Sequence, residues 1–237
     1  MKKLSIIIPV YNEADTIAEV IKVLNALVLI NNIEKEIIVV DDCSQDTSKA
    51  VIKNTLSEIG SASIRICEHK INIGKGGAIQ TGIKEADGDY TIIQDADLEL
   101  IPAEINNLLQ VVWDNKADIV YGSRFLNKEV KGGSWISNRA NGFLTGLSNF
   151  VFKTRITDME TCYKLVPTPV FKSLNLIEQR FGFEPEITAK LAKHKQLRWA
   201  EVPITYNPRN NEQGKKIGWK DGFRAIWCIV KYGLGKG

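Results

Sequence analysis

Histidine is almost missing from this chain: His69 and His194 are the only two, and the four cysteines, Cys43, Cys67, Cys162 and Cys228, stand far apart with no CxxC pair. That spacing argues against a zinc knuckle and a dense disulfide framework, and makes a reducing compartment the default expectation. No run approaches the roughly 20 apolar residues that cross a bilayer, so no membrane span is expected. Met1-Lys2-Lys3 followed by Leu4 to Ile8 has the outline of a signal peptide, but Pro9, Glu13 and Asp15 end the apolar run early, and the segment reads as a first strand. Neither GxxxxGK[ST] nor GxGxxG occurs, which sets aside P-loop ATPases and Rossmann dehydrogenases. No repeat, low-complexity tract or linker divides the 237 residues. With 44% hydrophobic and 25% charged residues, the chain can bury a sizeable core.

Short β-rich runs are present at Leu4 to Val10, Glu36 to Val40, Ser63 to Cys67, Tyr90 to Gln94 and Asp118 to Tyr121. Amphipathic stretches lie between them near 14–30, 46–58, 75–86 and 102–113. Strands alternating with helices of this length predict right-handed crossovers, hence an α/β fold with a mainly parallel central sheet flanked by helices. Such sheets bind ligands beyond their strand carboxyl ends, and the polar motifs fall there.

Tyr90-Thr91-Ile92-Ile93-Gln94-Asp95-Ala96-Asp97-Leu98-Glu99 is the most informative stretch, because an apolar strand runs into three carboxylates spaced two apart. One Asp at a strand end is ordinary, whereas three acids repel unless something positive sits among them. Oxygen ligands without His or Cys point to Mg2+ or Mn2+ rather than zinc. Mg2+ binds through one or two carboxylates plus substrate phosphates, so a phosphate-bearing ligand is expected.

The other motifs carry weaker signals. Pro9-Val10-Tyr11-Asn12-Glu13 ends strand one and by itself is a turn. Val39-Val40-Asp41-Asp42 ends strand two; one acid would suffice to cap the next helix, and a second is surplus that could accept hydrogen bonds from a ribose or base. Asn72-Ile73-Gly74-Lys75-Gly76-Gly77 opens a helix with bare amides, either a tight turn or a phosphate site. Arg124 follows the fifth strand, and Arg209, Lys215 and Lys216 add cations in a polar loop; Arg and Lys are the usual partners of a diphosphate. His69 and His194 stand beside lysines and read as surface residues. Asp158 and Glu160 intrude among core-type residues, while Glu184 reads as a cap of the helix beginning near Pro185.

The ordered set Pro9 to Glu13, Asp41-Asp42, Gly74-Lys75-Gly76, Asp95-Ala96-Asp97 and Gly122-Ser123-Arg124 resembles family 2 glycosyltransferases of the GT-A fold, in the branch of polyprenyl-phosphate sugar synthases. The resemblance covers nearly the whole chain. It implies Pro9, Tyr11, Glu13, Val40 and Asp42 around the nucleoside, with Asp95, Ala96 and Asp97 at the diphosphate and metal and Glu99 as a further metal-side ligand. Lys75, Arg124, Arg209 and Lys215 would bind donor or acceptor phosphates, and Asp97, Asp158 and Arg124 would be the catalytic set. The implied cofactor is Mg2+ or Mn2+. The implied reaction is inverting transfer of a hexose from a UDP- or GDP-sugar to a polyprenyl phosphate; a saccharide or protein hydroxyl acceptor and a non-catalytic nucleotide-sugar sensor are the alternatives. Nucleic acid is not an expected partner.

Residues 1–208 are expected to be the catalytic domain and 209–237 a basic extension of it, since from Arg209 onward seven Lys or Arg face two acids. Ile136, Ala140, Phe143, Leu144, Leu147 and Val151 fall on one helical face. Trp219, Phe223, Ile226, Trp227, Val230 and Leu234 fall on another, beside a stripe of Lys220, Arg224 and Lys231. Together they predict a peripheral protein lying on the cytoplasmic membrane face.

Overall fold

The computed structural model describes residues 1–126, 135–208 and 219–235. Seven strands form one sheet in the order β3-β2-β1-β4-β6-β5-β7. The first four are β1 (Lys3–Val10), β2 (Glu34–Asp41), β3 (Ile64–Glu68) and β4 (Tyr90–Ile93), and all their mutual pairings are parallel. Runs such as Ile6-Ile7-Ile8 and Ile37-Ile38-Val39-Val40 are buried throughout, as expected of strands covered on both faces. The crossovers are helices α1 (Ile17–Ala26), α2 (Ser48–Ile59) and α3 (Lys75–Glu85). α1 is shorter than the apolar pattern predicts, because the backbone turns extended at Leu27 (φ −60, ψ 122); Ile30–Asn32, with Asn31 and Asn32 at positive φ, forms a separate turn.

After α4 (Ile105–Trp113) come β5 (Ile119–Ser123), α5 (Trp135–Phe152), β6 (Lys164–Pro167), α6 (Thr168–Ser173), α7 (Phe183–Leu191), β7 (Trp199–Pro203) and α8 (Trp219–Gly233). β6 inserts between β4 and β5 and runs antiparallel to both, while β7 pairs with β5 in parallel. Neither β6 nor β7 is foreseen from the sequence: each is four or five residues long and carries a charged residue in a strand position. α8 packs on α7 and α5 through Ala225, Cys228, Ile229 and Tyr232, so this helix belongs to the same body as the sheet.

The amino edge of the sheet is tied by Glu36, which accepts hydrogen bonds from Ser5 Oγ, Asp87 N and Gly88 N and pairs with Lys3 and Arg65. Helix α3 lies so close to β1 that a Cβ at Gly82 would collide with the Ile7 side chain. Gly82→Ala should therefore destabilise the protein: the helix-propensity gain of about 1 kcal/mol is outweighed by about 1–3 kcal/mol of overpacking. Urea denaturation reads the outcome, and an unchanged or higher midpoint would contradict this packing.

Candidate active site at the carboxyl edge of the sheet

The turn after β1 and the segment after β2 are fastened to each other. Asn12, at φ 53, donates its amide to Ser44 Oγ at 3.0 Å and accepts from the Gln45 amide at 2.7 Å, while the Glu13 amide donates to Ser48 Oγ at 2.8 Å. Thr16 Oγ1 donates to the Ala96 carbonyl at 2.8 Å, which joins this pair of loops to the acidic segment after β4. Pro9 and Val40 pair in register and are buried, so their contribution to a site is backbone and shape. Tyr11 and Glu13 are half-buried at the edge.

The family resemblance implies Asp42 at the nucleoside, and in the structure its carboxylate is engaged by the protein. Oδ1 accepts from the Ile73 amide at 2.9 Å and lies 2.7 Å from His69 Nδ1, and Oδ2 accepts from the Gly74 amide at 2.7 Å. His69 is correspondingly no surface residue: its Nε2 meets Thr81 Oγ1 at 2.9 Å, binding β3's end to α3. The neighbour Asp41 is the acid with spare capacity, since its Oδ1 is buried without a partner among the described residues. Two adjacent acids were legible in the sequence; which of them holds the loop was not.

The glycines of Gly74-Lys75-Gly76-Gly77 serve packing. Gly74 has φ 91, and a Cβ there or at Gly76 would strike the backbone of residues 178–179. The Gly77 amide donates to the Gln179 carbonyl at 2.9 Å, so the amides at Gly74 and Gly77 are spent within the protein and do not face a phosphate. Lys75 alone reaches the site, with Nζ 2.7 Å from Asp95 Oδ1. Burial works against the Lys75 ammonium, but Asp95, Cys162 and Glu184 outweigh it and raise its pKa. Burial likewise opposes the Asp95 carboxylate, and Lys75, Cys162 and Arg124 overcome this to lower its pKa.

Asp158 is fully buried beneath Arg124. Arg124 Nε donates to Oδ2 at 2.7 Å, Nη2 to Oδ1 at 2.8 Å and its backbone amide to Oδ2 at 3.1 Å, and Asn141 on α5 donates to Oδ1 at 3.0 Å. Despite burial, these partners lower the Asp158 pKa. An acid so saturated is a poor proton acceptor, and its geometry orients Arg124. Glu201, supplied by the unforeseen β7, fixes the same segment by accepting from the amides of Thr157 and Asp158. The Arg124 guanidinium lies 5.2 Å from the Tyr206 ring centroid.

The three carboxylates after β4 do not form a ready-made cage. Asp95 is paired with Lys75, Glu99 lies within hydrogen-bonding range of the Tyr206 hydroxyl, and Asp97 Oδ1 accepts from the Glu99 amide at 3.2 Å. Among the described residues no three acid, His or Cys side chains converge as a metal set. The oxygen-only pair Asp95 and Asp97 still fits a hard divalent ion that takes its other ligands from substrate phosphates. Arg209 and Lys215 lie outside the described residues.

Behind these groups sit Glu160, an acid set among core-type residues, and Glu184, which the sequence reads as a helix cap. Burial pushes Glu160 up to about 7 and Glu184 up to about 8. Lys164 is fully buried, and its Nζ donates to the Met159 carbonyl at 3.0 Å and to the Thr161 carbonyl.

Residues 5–174 match the model of glycosyl transferase family 2. The chain belongs to that family. It is similar to a dolichol-phosphate mannosyltransferase of Pyrococcus furiosus, 31% identical over 240 residues, covering 97% of this chain and 64% of the relative. An undecaprenyl-phosphate 4-deoxy-4-formamido-L-arabinose transferase of Edwardsiella ictaluri is 28% identical over 211 residues, covering 89% and 62%. The chain spans 62% to 65% of the length of these and two further curated relatives. Among solved structures, mannosyl-3-phosphoglycerate synthase from Rubrobacter xylanophilus superposes with TM-score 0.75 at 18% identity, covering 99% of this chain and 74% of its own. Glucosyl-3-phosphoglycerate synthase from Mycobacterium tuberculosis, solved with Mn2+, UDP and phosphoglyceric acid, gives 0.69 at 17% identity, covering 98% and 78%. These neighbours establish the GT-A fold for this family 2 chain.

Asp158→Ala should cost about 3 kcal/mol, because Arg124 is left without its counter-ion in a mostly buried place. The double variant Arg124→Met/Asp158→Leu should recover most of that stability. Since the folded-state pKa of Asp158 is lowered, its contribution is present above the ordinary Asp value near 4 and lost as pH falls through the folded value. Urea midpoints of the three proteins between pH 7 and pH 3 measure this; equal stability of wild type and Asp158→Ala at pH 7 would contradict it.

Proposed function

We propose that this chain transfers a hexose, with inversion, from a nucleotide-diphosphate sugar to a polyprenyl phosphate. The observation that carries the reading is the Arg124–Asp158 pair: the carboxylate best placed to act as a base is held as the counter-ion of an arginine at the sheet edge. An acceptor that arrives ionised needs no base, and a phosphate monoester with second pKa near 6 is mostly ionised at neutral pH. The undecaprenyl-phosphate and dolichol-phosphate sugar transferases to which the chain is similar support the same acceptor class.

In this reading Pro9, Tyr11, Glu13, Val40 and the Asp41-Asp42 edge enclose the nucleoside, Lys75 and Arg124 meet the phosphates, and Arg209 and Lys215, outside the described residues, are assigned to phosphate binding from the sequence. Asp95 and Asp97 would hold Mg2+ or Mn2+ together with the donor's diphosphate, and the ion would supply positive charge where the leaving group accumulates negative charge. Lys75 and Arg124, preorganised by Asp95 and Asp158, act on that same charge without reorganising during the reaction. The mycobacterial neighbour was crystallised with Mn2+ and UDP, which favours this cofactor class.

Residues 209–237 are read as an extension of the same domain that meets the membrane surface. Phe143 and Phe150 on α5 are 63% and 74% exposed, and Phe223 and Trp227 on α8 are 67% and 48% exposed on the helix packed beside it. The inward residues are Leu144 and Phe152 on one helix and Cys228 and Ile229 on the other, so both helices have an apolar face left outside. The basic stripe is partly spent: Arg224 and Lys231 pair with Glu178 at 2.6 and 3.1 Å. Arg139 on α5 and Lys153 just past its end are exposed and add positive charge on this side. The side chains of Ile136, Trp219 and Lys220 lie outside the described residues. Among the described residues no helix is long and apolar enough to cross a membrane.

A hydroxyl acceptor is the second reading, favoured by Glu160, whose raised pKa near 7 suits a general base. The purified protein with Mn2+, a panel of UDP- and GDP-sugars, and either undecaprenyl phosphate or soluble saccharides decides between them. Nucleotide release coupled to lipid-linked sugar is expected, falling at least about a hundredfold in Asp97→Asn; release only with a saccharide, or full turnover by Asp97→Asn, would overturn the proposal.

A further inference from the structure

We infer that Glu184 and Glu160 form the subsite for the donor's sugar ring, accepting hydrogen bonds from its hydroxyl groups. This rests on the nucleotide-sugar half of the proposed function; the part of Glu184 is the same with either acceptor, and the part of Glu160 goes with the lipid-phosphate acceptor, which needs no base. Glu184 lies in the first turn of α7 and is 4% exposed, yet its Oε2 is buried with no partner among the described residues. Glu160 Oε1 and the adjacent Thr161 Oγ1 are buried and unpartnered in the same way. A buried polar atom without a partner is costly in the empty protein and becomes an asset when a ligand supplies the missing donor.

Neighbouring cations do not fill the vacancies. Lys75 Nζ is bonded to Asp95, and Lys164 Nζ is bonded to the carbonyls of Met159 and Thr161. Helix capping accounts for part of the Glu184 carboxylate, which meets the amide of its own residue in the first turn of α7, and leaves Oε2 over.

Location and charge select the ligand chemistry. Glu184 is within electrostatic range of Lys75 and Glu160, and Glu160 is within range of Arg124 as well, so the pair sits beside the groups assigned to the diphosphate. Two buried acids offer hydrogen bonds but no positive charge to a second phosphate, and Lys75 would repel a free cation. A neutral polyol attached to a diphosphate satisfies both constraints. Burial raises both carboxyls, to about 8 for Glu184 and about 7 for Glu160, so near neutrality the pair retains protons and can donate to a sugar oxygen as well as accept.

The test is calorimetric titration of the full chain, with Mn2+ and no acceptor, using UDP, GDP, UDP-glucose, UDP-galactose and GDP-mannose on wild type, Glu184→Gln and Glu160→Gln. In either variant the affinity for the preferred nucleotide sugar should fall about tenfold or more, while the matching nucleotide diphosphate stays within about twofold of wild type. Unchanged sugar-nucleotide affinity in both variants would overturn the inference. So would equal losses for nucleotide and nucleotide sugar, the pattern of a merely structural role, or no binding of any of the three sugars by wild type. Because no acceptor is present, transfer to polyprenyl phosphate can succeed while this subsite fails, and the reverse.

Discussion

Everything at the carboxyl edge depends on keeping cations and carboxylates together in places water reaches poorly, and the Arg124–Asp158 pair is where that constraint is tightest. An arginine there without Asp158 would be an uncompensated charge, and Asp158 without Arg124, Asn141 and the amide of Arg124 would not stay ionised. The pair draws three elements together: Arg124 follows β5, Asn141 comes from α5, and Glu201 of β7 clamps the backbone of the Asp158 segment. A buried ion pair is weak evidence for stability in itself. Its use here is orientation, since both carboxylate oxygens fix the plane of the guanidinium.

The same logic recurs in the other half of the edge. Asp42 does for the 72–74 turn what Asp158 does for Arg124, and Asp95 does it for Lys75. Three of the acids that make this chain distinctive are therefore occupied in arranging backbone and cations. The acids with spare hydrogen-bonding capacity are others: Asp41 at the end of β2, and Glu160 and Glu184 behind Lys75. Glu178 extends the arrangement to the surface, accepting from Arg224, Lys231 and Tyr232 of α8 while its carbonyl takes Gln80 Nε2 of α3.

The parallel half of the fold was legible because its signals are local. Apolar runs at Leu4, Glu36 and Tyr90 are bounded by Pro9, Asp41 and Asp95, and the amphipathic stretches between them have helical period. β6 and β7 were not, since Lys164 and Glu201 break any apolar pattern and their pairing is set by tertiary placement. Candidate site residues were legible as residue types at strand ends. Their roles were not, because Asp41 and Asp42, or Asp158 and Glu160, differ only in which neighbours the fold brings to them. His69 shows the limit well: nothing in its flanking residues announces that Asp42 and Thr81 hold both ring nitrogens.

The central claim is that this edge binds a nucleotide diphosphate through a hard ion shared with Asp97 and through the preorganised cations Lys75 and Arg124. Titration of UDP and GDP into the protein, once with Mn2+ and once with a chelator, tests it most directly. The account predicts binding of one nucleotide with Mn2+ that weakens at least about tenfold on chelation, with little such metal dependence left in Asp97→Asn. Binding of equal strength with and without the ion, or no binding of either nucleotide, would contradict it.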